Sequence, residues 1–295
     1  MILITGGTGT TGREIVSELR RLGATGVRAL VRDAGRASFI REAGFETAEG
    51  DFDRPETLDA ALAGVERALL LTPPSPKTFE FQRDFIEASK RAGVRRVVKF
   101  SAFGADADAP EGFGKWHGQA EDYLKQSGLA WTMLQPNFFM QNLLGQARQI
   151  AAEGRIYQPV GDAKASFIDV RDIAAVAART LVEDGHEGKS YVLTGPEALS
   201  YADVAAKLST AAGRQITYVP ITPEQFRQGA LAAGLPEWLV GALERLNEIF
   251  AAGYAAEVTD HVRAVGRKEP TTFDQFARDN AQAFKGGQGA EGEKG

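Results

Sequence analysis

The stretch MILITGGTGTTG at residues 1–12 decides the fold of this chain. It opens with the apolar run of a buried parallel strand, and residues 12–22 then place apolar side chains on one face of a helix. Gly7, Gly9 and Gly12 give the spacing G-x-G-x-x-G between them. Such glycines permit a tight turn, a close approach of the backbone to a pyrophosphate, and close packing of the helix on the strand. Because a helix N-terminus favours phosphate, the sequence predicts a dinucleotide-binding turn.

Strand-like and helix-like runs alternate through the first half of the chain, which predicts an α/β fold with a doubly wound parallel sheet of the Rossmann type. Later the rhythm changes, with a helix expected over 138–152 and a strand over 190–193. We expect a dinucleotide-binding domain at 1–136. A smaller α/β C-terminal lobe, interleaved with the sheet and lying over the cleft, is expected at 137–285. Residues 286–295 have no apolar anchor, which predicts a disordered tail.

The composition disfavours several classes of protein. The 295 residues are 43% hydrophobic and 25% charged, as in ordinary globular proteins. A net charge of −5 does not favour nucleic acid or an anionic membrane as partner. There is no cysteine, and the histidines at 117, 186 and 261 are scattered, so no metal site is expected. No segment has the ~20 apolar residues of a membrane span, and no signal peptide is recognisable, so we expect a cytoplasmic location.

The end of the second predicted strand indicates which dinucleotide binds. A site specific for NAD usually has an acidic residue ~20 positions after the glycines, on the ribose 2′-hydroxyl. Here the strand ends with Arg32, and Asp33 falls one position later. A guanidinium can pair with a 2′-phosphate through charge-assisted hydrogen bonds, and Arg36 is a possible second contact. The sequence therefore predicts NADP(H) in preference to NAD(H).

Several further stretches follow the pattern of one family. They are LVRD at 30–33, GDFDRPETL at 50–58, LLTPP at 70–74, VVKFSAFGAD at 97–106, WHGQAEDYLKQSGLAWTMLQPNFFMQN at 116–142, SFIDVRDIA at 166–174 and YVLTGPEALSYADVA at 191–205. With the glycine-rich turn, they make the chain resemble the atypical, NmrA-like branch of the short-chain dehydrogenase/reductase superfamily over roughly residues 1–285. The last stretch is similar to bacterial relatives of ergot-alkaloid-type NADPH reductases, and quinone and dye reductases belong to the same branch.

The resemblance implies a cofactor site at the carboxyl ends of the parallel strands, where open α/β sheets bind ligands. The third and fourth strands would contact the adenine and the length of the cofactor, and the fifth and sixth the nicotinamide end. The implied cofactor-binding residues are Gly6, Thr8, Gly9, Thr10, Thr11, Gly12, Arg32, Asp51, Phe52, Leu71, Thr72, Pro73, Ser101, Ala102, His117, Pro136, Asn137 and Phe138. Phe103, Phe139 and Phe167 are the implied residues of the substrate pocket.

The resemblance also places this chain apart from common members of the superfamily, which use a Tyr-x-x-x-Lys pair. Phe113 stands where the tyrosine would be and His117 where the lysine would be. Phenylalanine has no acidic proton. An imidazole can hold the nicotinamide ribose or relay a proton, so His117 is the candidate catalytic residue. The alternative is a structural histidine at the helix start. Glu121, one helical turn later, is expected to orient it.

These features favour an NADPH-dependent reductase of a small hydrophobic conjugated acceptor, such as a quinone, enone, imine or dye, which works by hydride transfer without the Tyr-Lys pair. The alternative is a non-catalytic NADP(H)-binding regulator that senses redox state and acts through a protein partner. A sugar-nucleotide epimerase is a third hypothesis, which the missing tyrosine disfavours. A monomer and a homodimer are both compatible with the sequence.

Overall fold

A computed structural model describes residues 1–286, without the side chain of Arg36. Its strands, numbered in chain order, are β1 Ile2–Ile4, β2 Val27–Val31, β3 Glu46–Glu49, β4 Arg67–Leu70, β5 Arg96–Phe100, β6 Ala130–Pro136, β7 Arg155–Gln158, β8 Lys189–Leu193 and β9 Thr217–Pro220. Its α-helices are α1 Thr10–Arg21, α2 Ser38–Glu42, α3 Leu58–Leu62, α4 Thr78–Arg91, α5 Phe113–Gln126, α6 Asn142–Gly145, α7 Ala147–Glu153, α8 Val170–Val182, α9 Tyr201–Ala212, α10 Pro223–Ala232, α11 Glu237–Ala251, α12 His261–Gly266, α13 Phe273–Asp279 and α14 Ala281–Phe284.

The first of two compact units contains Met1–Asn137, Val170–Thr194 and Thr259–Pro270. Its seven strands form one parallel sheet in the order β3-β2-β1-β4-β5-β6-β8. Strand β1 lies inside the sheet. The chain adds β2 and β3 on one side of it and then β4, β5, β6 and β8 on the other side. The predicted doubly wound parallel sheet of the Rossmann type is therefore confirmed.

Helix α1 shows why the first segment folds as it does. Ile15, Val16 and Leu19 lie on one face and are buried, whereas Arg13 and Arg20 on other faces are exposed. This apolar stripe packs against α8, a helix whose residues are mostly buried. Burial of a continuous apolar face is the main force that holds a short helix on a sheet.

The second compact unit contains Phe138–Asp169, Gly195–Val258 and the described chain from residue 271 onward. Strands β7 and β9 pair in parallel within it. Its core is rich in aromatic side chains, among them Phe167, Tyr201 and Phe250. The helix predicted over 138–152 is two short helices, α6 and α7, separated at Gln146.

The compact units differ from the predicted division at 1–136 and 137–285. Strand β8 pairs in parallel with β6, with Tyr191 opposite Leu134, so this strand of the 137–285 range completes the large sheet, in keeping with the expected interleaving. The segment Thr259–Pro270 also belongs to the first unit, where Lys268 lies 2.6 Å from the Asp172 carboxylate. Of the predicted tail at 286–295, residues 287–295 lie outside the described residues. No helix in the described part of the chain is both long enough and apolar enough to cross a membrane.

Candidate active site

Two glycines of the turn between β1 and α1 are required by the protein itself. Gly6 has a φ of +67°, and a Cβ there would lie 2.8 Å from Cγ of Leu71. A Cβ on Gly12 would lie 2.1 Å from the carbonyl oxygen of Gly6. Both distances are too short for any other residue, so these glycines let the start of α1 pack against the turn and against the end of β4.

Gly9 is different, because the protein around it leaves room. A Cβ there would meet only the Gly6 carbonyl oxygen, at an ordinary 3.5 Å. Gly9 is exposed and forms the N-cap of α1, and no side chain caps this helix. The first N–H groups of a helix have no acceptor within the helix. The turn thus fits a phosphate group that approaches the backbone closely, as the pyrophosphate of a dinucleotide does.

Two arginines lie close to this turn in the sequence. Arg32 follows β2, is exposed, and forms no hydrogen bond or ion pair with any residue that the structure describes. Arg13 was not singled out from the sequence, although it directly follows Gly12. Its Nε donates to the Thr8 carbonyl at 3.3 Å, and its guanidinium lies 4.1 Å from the ring centre of Phe39.

The ends of β3 and β4 place the next group of predicted residues. Phe52 is half-buried, with its ring centre 5.8 Å from that of Phe81. Thr72 Oγ1 accepts a hydrogen bond of 3.0 Å from Gln82 Nε2. Leu71 is tied to β1, since its N–H donates to Thr5 Oγ1 at 2.8 Å. Asp51 is half-buried and Pro73 is exposed.

The loops after β5 and β6 lie side by side in the first unit. The Phe103 N–H donates to the Pro136 carbonyl at 3.0 Å, and the Asn137 N–H donates to the Leu193 carbonyl at 2.9 Å. Ala102 and Phe103 are half-buried, whereas Asn137 is buried. The structure therefore places Phe103, predicted in the substrate pocket, directly beside Pro136, predicted at the nicotinamide end.

Three predicted residues belong to the second unit instead. Phe138 lies with its ring centre 5.0 Å from that of Phe250. Phe139 is half-buried, and its backbone bridges to Ile168. Phe167 is only 3% exposed and contacts several rings of the aromatic core, so its placement favours a packing role over substrate contact.

A buried polar cluster connects β5, α5 and β6; we call Lys99, Ser101, His117, Glu121 and Gln135 the lysine–histidine cluster. Lys99 Nζ lies 3.0 Å from Ser101 Oγ and 3.0 Å from His117 Nδ1. Ser101 Oγ donates to Glu121 Oε1 at 2.6 Å, and Gln135 Nε2 donates to the same oxygen at 2.8 Å. The cluster is thus a continuous chain of hydrogen bonds from a carboxylate to an imidazole.

Burial shifts the two bases of this cluster in the same direction. Removal from water lowers the pKa of Lys99 from 10.5 to about 7, and the Glu121 carboxylate only partly offsets this. Burial, together with the adjacent Lys99 ammonium, also holds the pKa of His117 well below its usual range. The imidazole is therefore neutral at pH 7, and Lys99, whose pKa is about 7, is the member of the pair that gains and loses a proton near neutral pH.

The cluster changes two expectations about α5. Glu121 bonds Ser101 and Gln135, so the partner that holds the His117 ring is Lys99. The Ser101 hydroxyl, predicted near the cofactor, is buried and engaged on both sides. The sequence did carry a signal for Lys99, namely a lysine inside the apolar strand segment RVVKF at 96–100.

Helix α5 begins at Phe113, the residue predicted to stand where common members of the superfamily have a tyrosine. Phe113 is half-buried and packs edge-on against Trp116, with ring centres 5.6 Å apart. His117 lies one turn later on the same helix. His117 is half-buried, and its imidazole can exchange a proton.

Comparisons with known proteins agree with this geometry. The chain is 45% identical over 284 residues to NAD(P)H azoreductase of Xenophilus azovorans, covering 96% of this chain and 99% of the relative. It is 33% identical over 245 residues to quinone oxidoreductase 2 of Escherichia coli strain K12, covering 82% and 85%. A crystal structure of an NADPH-dependent quinone oxidoreductase from Escherichia coli, complexed with NADPH, superposes with a TM-score of 0.88 at 29% identity, covering 95% and 99%. Residues 1–277 match the NmrA-like family, and the chain belongs to that family.

Proposed function

We propose that this NAD(P)H-dependent oxidoreductase uses NADPH to reduce a small hydrophobic conjugated acceptor, with azo dyes and quinones as the first candidates. The observation that carries the proposal is the open backbone cradle at Gly9, in a chain similar over nearly its whole length to an NAD(P)H azoreductase. Quinone reduction by a further relative supports the same acceptor class.

The protein's part in cofactor binding follows from the turn and the strand ends. Backbone N–H groups at the start of α1 would hold the pyrophosphate, and Arg32 would pair with the 2′-phosphate. The half-buried Phe52 would lie beside the adenine. Arg32 suits this role because no described residue competes for its guanidinium.

The chemistry at the nicotinamide end needs little more from the protein than orientation and one proton. Bound NADPH supplies the hydride. Phe113 cannot donate a proton, so the group proposed for this task is His117, whose Nδ1 is held by Lys99. Its other ring nitrogen remains for the acceptor or for the nicotinamide ribose.

An acceptor panel tests the proposed activity. NADPH oxidation is followed with a quinone, an azo dye, an enone and an imine, after binding of NADPH has been confirmed by fluorescence titration. We expect turnover of at least one acceptor. No turnover by protein that binds NADPH would contradict the proposal and favour the redox-sensing regulator. The regulator hypothesis further requires unequal affinities for NADP+ and NADPH, and a protein partner whose binding follows that ratio.

Cofactor preference is tested with Arg32→Ala and a matched control, Arg20→Ala, which removes another exposed arginine of the same unit. A lost guanidinium–phosphate contact should weaken NADPH binding at least ~10-fold. NADH binding should stay unchanged, because NADH has no 2′-phosphate. Equal losses for both cofactors, or an equal loss in the control, would count against the role of Arg32.

A further inference from the structure

Lys99 is fully enclosed in the sheet-containing unit. Its neighbours in register on β4 and β6 are Leu70 and Met133, both apolar and 0% exposed. A lysine buried among apolar side chains destabilises the folded state unless strong partners compensate for the loss of water around its ammonium group. Its hydrogen-bond partners are Ser101 Oγ and His117 Nδ1. Neither carries a negative charge, so the site does not neutralise the ammonium by direct contact with a carboxylate.

The contact with His117 fixes the direction of proton movement. An ammonium can only donate, so when Lys99 is protonated His117 Nδ1 is the acceptor, and the proton of the neutral ring then resides on Nε2. His117 is half-buried, and its Nε2 has no hydrogen-bond partner among the residues that the structure describes. One nitrogen of the ring thus touches the buried amine, and the other is free to meet an external group.

We propose that Lys99 is the proton reservoir of the reductase and passes its proton through His117 to the acceptor. This inference rests on the proposed function. When an azo bond takes up a hydride on one nitrogen, the other nitrogen takes the proton from His117 Nε2. At the same time His117 Nδ1 takes a proton from the Lys99 ammonium, which leaves a neutral amine. For a quinone, the same proton goes to the carbonyl oxygen, so one hydride and one proton give the two-electron product.

The reservoir is refilled along the same route. After the product leaves, Nε2 of His117 takes a proton from water, and Nδ1 returns its own proton to the Lys99 amine. The ring is then again neutral with its proton on Nε2. Each cycle therefore consumes one proton from solvent, and the buried Lys99 needs no separate path to water.

The charges around Lys99 suit an exchangeable proton near neutral pH. Glu121 and Lys125, both on α5, are the charged side chains that act on it, and they act in opposite directions. Burial dominates and brings the pKa of Lys99 to about 7. A general acid works best when its pKa lies near the working pH.

The decisive experiment compares two acceptors that differ in their need for a proton. Reduction of an azo dye needs a hydride and a proton. A cationic triphenylmethane dye needs only the hydride, because hydride addition to its central carbon gives the neutral product directly. Lys99→Met should lower the ratio of the azo rate to the cationic-dye rate at least ~10-fold, the scale of general-acid catalysis. The control is Lys90→Met, which removes an ammonium of α4 that pairs with Glu87 at 3.0 Å and is not among the charges that act on Lys99.

The outcomes separate the relay from the proposed function. If the wild type reduces azo dyes and Lys99→Met lowers both rates equally, or neither, the relay is wrong and the reductase stands. If the wild type reduces no acceptor, the proposed function fails first. In the wild type, the relay further predicts that azo reduction declines as pH rises above about 7, where Lys99 loses its proton. A rate that stays constant to pH 9 would overturn it.

A measurement without turnover tests the contact itself. In cofactor-free protein, the 15N shifts of the His117 imidazole should show the proton on Nε2 at neutral pH. Lys99→Met should raise the pKa of His117, because the ammonium that opposes its protonation is gone. A proton on Nδ1 in the wild type, or an unchanged His117 titration in the variant, would contradict the relay even if the variant were unstable.

Discussion

At the scale of single residues, Lys99 links stability to the proposed chemistry. The chain places an amine among apolar strands, and that amine touches the imidazole expected at the reacting centre. Natural proteins keep such destabilising groups mainly where function needs them. Its pKa is therefore open to two independent tests, one kinetic, as described above, and one thermodynamic.

The thermodynamic test uses the pH dependence of unfolding. The pKa of Lys99 is about 7 in the folded protein and 10.5 as its ordinary value. Between these values the unfolded chain binds more protons, so the free energy of unfolding should rise with pH. Lys99→Met lacks this rise. Its stability relative to the wild type should therefore fall by about 4 kcal/mol between pH 7 and pH 10.5, measured by urea unfolding. Parallel pH curves for the two proteins would refute the shifted pKa.

Substitution by alanine should reduce the stability of the fold at Gly12 but reduce cofactor binding at Gly9. In Gly12→Ala the new Cβ would lie 2.1 Å from the Gly6 carbonyl oxygen, so the turn must move, and we expect the free energy of unfolding to fall by about 3 kcal/mol, the upper end for an overpacked core. Gly9→Ala should leave thermal unfolding of the cofactor-free protein unchanged, because the protein around Gly9 leaves room for a Cβ, but should weaken NADPH binding at least ~10-fold, because that Cβ would occupy the proposed phosphate site. Wild-type NADPH affinity in Gly9→Ala would show that the phosphates lie elsewhere.

The sequence predicted these residues unequally, for a physical reason. The glycines were predictable because their spacing is local and lies between a strand and a helix. Lys99 was not singled out, since its meaning depends on β5 and α5 lying together, a contact that joins residues 18 apart. Phe167 was predicted as a pocket residue from the resemblance, but its 3% exposure reflects packing within the second unit.

At the scale of elements, helix ends are encoded locally and can be tested. Ser200 caps α9, with its Oγ accepting from the Asp203 N–H at 3.2 Å, while Asp203 Oδ2 accepts from the Ser200 N–H at 2.9 Å. Ser200→Ala should lower the free energy of unfolding by ~1 kcal/mol. Thr222→Ala is the control, because it removes the same kind of cap from α10, a helix without buried residues. We expect a smaller effect there in chemical unfolding, since α10 can open locally; equal losses would contradict this.

Element boundaries were less predictable where tertiary contacts decide them. The strand expected at 190–193 is present as β8, but its partner is β6 of the large sheet. The paired residues of β6 and β8 lie 57 positions apart in the chain, and such a distant pairing leaves no trace in the local pattern. The single helix expected over 138–152 is interrupted at Gln146, although its apolar spacing continues through that point.

At the scale of the whole molecule, the chain is built from two compact units whose segments alternate along the sequence. The Rossmann sheet was predictable, because strand and helix runs alternate with a period that local patterns reveal. The interleaving was only partly predictable: returning segments such as Thr259–Pro270 are assigned to a unit by contacts, not by composition. Family membership, shown by a match over residues 1–277, agrees with this architecture.

The proposed reductase activity is best tested by following a single turnover of bound NADPH with an azo dye. Protein loaded with a limiting amount of NADPH is mixed with an azo dye in a stopped-flow instrument, and the absorbances of NADPH and of the azo chromophore are followed together. Both absorbances should fall with the same rate constant, and more slowly when Gly9→Ala protein, which should fold normally but bind NADPH more weakly, replaces the wild type. A constant NADPH absorbance after mixing with the azo dye, and again after mixing with a quinone, would contradict the proposed reductase activity.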